Sequence, residues 1–167
     1  MHRERTRFVA DAMLGSLARK LRAFGFDTAY YREGGDNGIM KLARVERRVV
    51  LTADKTLHAR TSRRGLLSLF LEGRTDGERI SSLARSARAA GLTLVRGESL
   101  CSLCGSVLGS MSRREATPFV PATVARRHRL FFYCSLCGRV YWRGSHWKEL
   151  RGLERNLGHS VSRPKRK

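Results

Sequence analysis

Three aspartates and four cysteines are the residues of this sequence whose types and spacing could do chemistry. Asp11 follows the apolar run Phe8-Val9-Ala10, Asp36 closes the glycine-rich stretch REGGD, and Asp54 follows VVLTA. Carboxylates that converge offer the hard oxygen ligands Mg²⁺ or Mn²⁺ prefers. Such a centre suits phosphodiester hydrolysis, because one metal acidifies an attacking water and a second, about 4 Å away, stabilises the departing oxygen. Each aspartate alone has a plainer reading: an Asp between a strand and a helix caps the helix by accepting backbone N–H bonds. Thr52, two residues before Asp54, could hydrogen-bond a carboxylate, although its β-branched shape already suits a strand.

The cysteines fall as C-x₂-C, 29 intervening residues, then C-x₂-C: Cys101, Cys104, Cys134 and Cys137. Each pair can aim two sulfurs at one ion, so the spacing points to tetrahedral Zn²⁺ held by four thiolates, with no open position for chemistry. Gly105 and Gly138 follow the second cysteine of each pair and permit the tight turn. Phe131, Phe132, Tyr133, Tyr141 and Trp142 interleave with Arg126, Arg127, Arg129, Arg139 and Arg143, the mixture of stacking surfaces and cations that holds single strands. At least half of these aromatics are expected to form the module's own small core.

The elements that must position these residues alternate. From Arg7 to Asp27 a short strand runs into Asp11 and then into a helix with Leu14, Leu17, Ala18, Leu21 and Phe24 on one face, ended by Gly25. DTAYY, VVL, LLSLFL and LTLV read as strands, and IMKLARV, KTLHART and Asp76 to Ala90 as helices. REGGDNG reads as a loop. This order predicts a parallel sheet with helices on both faces, whose strand C-termini share one edge where Asp11, Asp36 and Asp54 would lie. The character changes after residue 97, so residues 1–97 form the expected α/β domain. Residues 98–167 form a zinc-ribbon module with a terminal helix, in which Trp147, Leu150, Leu153 and Leu157 are in register, and a basic tail.

The charge is one-sided, 34 Lys plus Arg against 14 Asp plus Glu in 167 residues, a formal +20. A polyanion is the expected partner, and nucleic acid fits better than a membrane surface because no apolar run reaches the roughly 20 residues of a spanning helix. Arg accounts for 28 of the 34 basic residues, so a genome-wide composition bias also contributes. MHRERTRF lacks the apolar run of a secretory signal, and paired CxxC motifs suit metal binding in a reducing compartment; a cytoplasmic location is expected.

FVADAMLGSLARKLRAFGFDTAYY, the later Asp36 and RRVVLTADKTL resemble the PIN-like ribonuclease family of the Mut-seven C-terminal domain type. The paired CxxC module with GSHW resembles the zinc ribbon that follows that domain. The resemblance spans about Phe8 to Trp147. It implies a metal-dependent ribonuclease in which Asp11, Asp36 and Asp54 bind Mg²⁺ or Mn²⁺, Zn²⁺ is structural, and RNA is the partner, with tRNA and the ribosome as candidates. Many PIN domains place the second acid as a helical Glu, for which Glu46 is a poor substitute, and the fourth acid is open between Glu72 and Asp76. Arg19, Arg22, Lys55, Arg60, Arg139, Arg143 and His146 are candidate RNA contacts. Two readings compete: an RNA- or ribosome-binding protein without catalysis, and a toxin-type PIN ribonuclease.

Overall fold

The computed structural model describes residues 5–162, with the side chains of His146 and of 159–162 outside that description. The RNA contact expected of His146 and the basic tail from 163 onward therefore lie outside the described residues.

The first unit is built from β1 (Arg7–Ala10), a 3₁₀ turn (Ala12–Leu14), α1 (Gly15–Ala23), β2 (Asp27–Tyr30), α2 (Gly35–Val45), β3 (Val49–Thr52), α3 (Lys55–Arg63), β4 (Ser68–Phe70), α4 (Asp76–Ala89) and β5 (Leu94–Val95). Four strands form one sheet in the order β2-β1-β3-β4, every pair parallel. Side chains alternate across a strand, so Phe8, Ala10 and Leu51 face one side and Val9 and Val50 the other. On the first side Leu14 of the 3₁₀ turn, Leu17 and Leu21 of α1 and Ile80 and Leu83 of α4 complete a core of fully buried residues. On the second, Ile39, Met40 and Ala43 of α2 pack with Leu57 of α3. Each large aliphatic side chain so buried contributes about 1.5–3 kcal/mol. The continuous apolar strands predicted from sequence are thus explained by helices on both faces.

Two details differ from the sequence reading. Gly35, Asp36, Asn37 and Gly38 form the first turn of α2 instead of a loop. First-turn amides have no intrahelical acceptor to satisfy, so poor helix formers are tolerated there, and Asp36 complements the positive end of the helix. β5 leaves the main sheet, pairs with β9 (Val161–Ser162), and accepts at the Val95 carbonyl the amide of Thr6 at 2.9 Å.

Gly25 ends α1 as expected, at φ +94°. A Cβ there would also overlap the Gly97 carbonyl, whose residue donates its amide to Gly25 O at 2.8 Å. Gly25→Ala combines a strained φ with a backbone clash and is expected to cost roughly 2–4 kcal/mol, read as a lowered thermal midpoint.

Beyond β5 the chain forms an antiparallel three-stranded sheet, β6 (Gly109–Ser112), β7 (Leu130–Tyr133) and β8 (Val140–Trp142), with two short helices, α5 (Arg113–Ala116) and α6 (Ala122–Arg127), in the β6–β7 connection. It then returns. Helix α7 (Ser145–Glu154) lays Leu150 and Leu153 against the first core, and Leu157, 2% exposed, enters it. Residues after the expected boundary at 97 thus complete the core of the α/β unit.

Candidate functional site

Asp11 and Asp54 sit at the C-terminal ends of the neighbouring strands β1 and β3. The Asp11 amide continues the ladder to Leu51 O at 3.1 Å, which sets the Asp11 side chain beside Thr52. Asp11 Oδ1 caps the 3₁₀ turn by accepting the Met13 amide at 2.9 Å, and Oδ2 accepts the Thr52 hydroxyl. Asp11 is only 7% exposed. Burial pushes its carboxyl above the usual aspartate range; hydrogen bonds from Thr52, Met13 and Ala53 oppose this, and the nearby Asp54 charge adds to it.

Thr52 does more than fill the strand. Fully buried, its hydroxyl donates to Asp11 and accepts the Asp54 amide at 2.9 Å, linking the two aspartates through one side chain. Thr52→Val keeps the shape and strands both partners, an expected loss of about 1–3 kcal/mol measurable by denaturant unfolding.

Asp54 caps α3 with Oδ1, accepting from Thr56 N at 2.7 Å and Leu57 N at 3.3 Å, which leaves Oδ2 uncommitted among the described residues. Asp36 stands in the first turn of α2, after the strand on the other flank of β1, and its carboxylate is paired with Arg60 of α3. All three aspartates therefore occupy the C-terminal edge of the sheet. The capping reading and the edge placement are both realised at Asp11 and Asp54.

The remaining acids separate clearly. Glu46 lies at the C-terminus of α2 and pairs at 2.6 Å with Arg48, which also holds Asp27 at the start of β2; this is the opposite edge of the sheet. Asp76, at the start of α4, accepts from Lys20 Nζ and Ser16 Oγ, each at 2.6 Å. Burial raises its carboxyl, yet these bonds hold it below the ordinary range. Glu72 is exposed at the exit of β4, with Arg85 3.9 Å away.

The candidate cations divide too. Arg19, Lys55, Arg139 and Arg143 are exposed. Lys55 Nζ lies 6.0 Å from the centre of the Phe70 ring, and the Arg143 guanidinium lies 5.7 Å and 5.8 Å from those of Phe132 and Trp147. Arg60 is held by Asp36. Arg22 corrects the expectation of a surface contact, being only 7% exposed. Its Nε donates to Thr28 O at 2.7 Å, and Nη1 donates to Leu103 O at 2.6 Å and Ser102 O at 3.2 Å. It thereby ties α1 and β2 to the first cysteine turn.

The four cysteine sulfurs all lie within 4.8 Å of one another. Cys101 and Cys137 are 3.5 Å apart and Cys104 and Cys134 3.4 Å, close to the roughly 3.8 Å edge of a tetrahedron built on 2.3 Å Zn–S bonds. Both turns have the sequence CSLCG and the same hydrogen bonds. Cys101 N donates to Ser106 O and Gly105 N to Cys101 O, both at 2.8 Å; Cys134 N donates to Arg139 O and Gly138 N to Cys134 O, both at 2.9 Å. Gly105 and Gly138 take φ of +82° and +71°, as the expected tight turns require. The Ser106 hydroxyl holds the Cys134 thiol down to about 6, whereas, against a backbone hydrogen bond from Arg139, burial and the crowding of the other three sulfurs push the Cys137 thiol up to about 12, the repulsion a bound cation would relieve. The Tyr141 hydroxyl lies 3.1 Å from Cys101 Sγ, and Phe131 is fully buried, so these two aromatics serve the ribbon itself. This group can hold a metal ion such as zinc.

A four-stranded parallel sheet between helices, with aspartates at its C-terminal edge and a paired-cysteine module appended, defines a PIN-like α/β protein with a ribbon that could hold a metal ion. The chain belongs to the Mut7-C RNAse domain family, whose match covers residues 6–153. Comparisons with curated proteins and with solved structures gave no match. Membership implies a ribonuclease-like activity with RNA as substrate. Among the described residues no helix is long and apolar enough to cross a membrane.

Sequence reasoning missed the ion pair of Asp36 with Arg60 and the burial of Arg22. It also passed over Lys148 and Arg151 of α7 and Arg155 at its C-terminal cap, whose i, i+3, i+7 spacing aligns them on one side.

Proposed function

We propose that this chain is a metal-dependent ribonuclease that hydrolyses RNA phosphodiester bonds, with Asp11, Asp36 and Asp54 binding Mg²⁺ or Mn²⁺ and the four cysteines binding a structural Zn²⁺. The observation that carries this reading is the burial of the Asp11 carboxylate beside a second carboxylate. Capping alone does not require it, whereas a divalent cation repays the cost of holding two negative charges together. The donors fit such an ion, since carboxylate oxygens at a sheet edge are the ligand type Mg²⁺ and Mn²⁺ take. When bound, the ion supplies a Lewis acid for a phosphate oxygen and acidifies a water.

The chain's own residues do the rest. Thr52 fixes the Asp11 carboxylate in one orientation, and its removal is expected to lower the rate about 10–100-fold, the range typical of groups that orient metal ligands. Arg60 holds Asp36 in place, while Lys55 and Arg19 are available to hold the RNA backbone.

The Asp36–Arg60 pair also supports a second reading, an RNA-binding protein without catalysis, because a carboxylate neutralised by Arg need not meet a metal. Incubating purified protein with defined single-stranded RNAs, with and without Mn²⁺, separates the two. Products that form only with the metal support the nuclease. RNA that is bound but left intact in Mn²⁺ supports the alternative.

A further inference from the structure

Helix α7 presents two faces. Leu150 and Leu153 turn toward the α/β core, and Lys148, Arg151 and Arg155 line a groove of about 590 Å³ together with Trp147 and Arg96. Lys148, Arg151 and Arg155 are exposed. The one acid in the lining, Glu154, is already occupied by Arg96 and, at 3.2 Å, by Arg151. A row of cations on one helix face beside an indole ring is the combination that binds a single strand, with phosphates on the cations and bases on the ring. A protein partner with an acidic surface would use the cations but has no need of the ring.

The groove meets α1 at the end opposite the turn that Asp11 caps: Arg96, which lines it, donates to the Phe24 carbonyl at the C-terminal end of α1 at 3.3 Å.

We infer that the α7 groove is a binding track for single-stranded RNA, gripping the strand through Lys148, Arg151, Arg155 and Trp147. The inference rests on the ribonuclease reading for its ligand but assigns residues that reading does not use.

The test is fluorescence anisotropy of a labelled single-stranded RNA 12-mer on the full chain, in buffer free of EDTA, Mg²⁺ and Mn²⁺, across a salt series. The Lys148→Gln/Arg151→Gln/Arg155→Gln variant is expected to bind at least tenfold more weakly. Its log–log salt slope should be about 2 units shallower, since each lost phosphate contact on a single strand removes about 0.7. Arg155→Gln alone should lower the slope by about 0.7 and serves if the triple variant fails to fold. Trp147→Phe should remove most of the fluorescence quenching caused by RNA while leaving the salt slope unchanged. Equal affinity and slope in native and variant chains would overturn the groove while leaving the nuclease reading standing. A native chain that binds no RNA in this buffer would likewise overturn the groove, while Mn²⁺-dependent cleavage decides the nuclease reading separately.

Discussion

Asp11→Asn is expected to abolish metal-dependent RNA cleavage, by about 10³-fold or more, and at the same time to make the folded protein more stable at neutral pH. The first figure follows from losing several kcal/mol of transition-state charge stabilisation at about 1.4 kcal/mol per tenfold. The second follows from the raised Asp11 carboxyl, whose chief cause is burial. A carboxyl that titrates higher in the folded state than in the unfolded one contributes stability that is fully present below the unfolded value, about 3.9, and lost as pH rises through the folded value. Above that window the native protein holds a buried carboxylate at a cost, and asparagine escapes it while still capping Met13. Denaturant unfolding of both proteins should therefore converge below about pH 4 and separate in favour of the variant toward pH 7. Added Mn²⁺ should raise the unfolding midpoint of the native protein and not that of the variant. A variant less stable than the native protein at every pH, with no Mn²⁺ effect on either, would reduce Asp11 to a helix cap.

The second large effect concerns Arg22 and the ribbon it touches. Arg22→Ala leaves the carbonyls of Thr28, Ser102 and Leu103 without their charged donor. Hydrogen bonds to charged groups contribute about 1.5–3 kcal/mol each, so a net loss of about 3–5 kcal/mol is expected, or roughly 6–20 °C in thermal midpoint. Lysine cannot reach three carbonyls with one rigid fork, and Arg22→Lys should rescue little. Metal analysis should find about one equivalent of zinc per chain. Because Arg22 holds the first cysteine turn, and Leu100 N donates to Arg22 O at 2.9 Å, chelation should lower hydrogen-exchange protection in α1 and β2 as well as in the ribbon. Protection of α1 that survives chelation unchanged would show the two parts to be independent.

Arg22 also shows where sequence reading stops. Its position four residues after Ala18 puts it on the border of the apolar stripe of α1, where a cation reads equally well as solvated or buried. The carbonyls that decide the matter lie 80 and 81 residues away. Local patterns were readable because their causes are local: the apolar spacing of α1, the left-handed end at Gly25, and the paired CxxC-Gly turns. Asp54 was legible as a cap for the same reason. Asp36 was misplaced into a loop because GGDN lacks helix formers, although a first turn does not need them. The register of Leu150, Leu153 and Leu157 predicted a packed face but not its destination, since nothing within α7 names the core of a sheet begun at residue 7.

That destination bears on how the chain folds. Leu94 pairs with Val161, so the whole ribbon must be laid down before the first core receives Leu157. Closing a long flexible loop has an entropy cost that grows with its length. A ribbon drawn together by an ion would shorten the loop that must close, whereas an unstructured one leaves it at full span, so metal is expected to speed the step in which Leu157 seals the α/β unit.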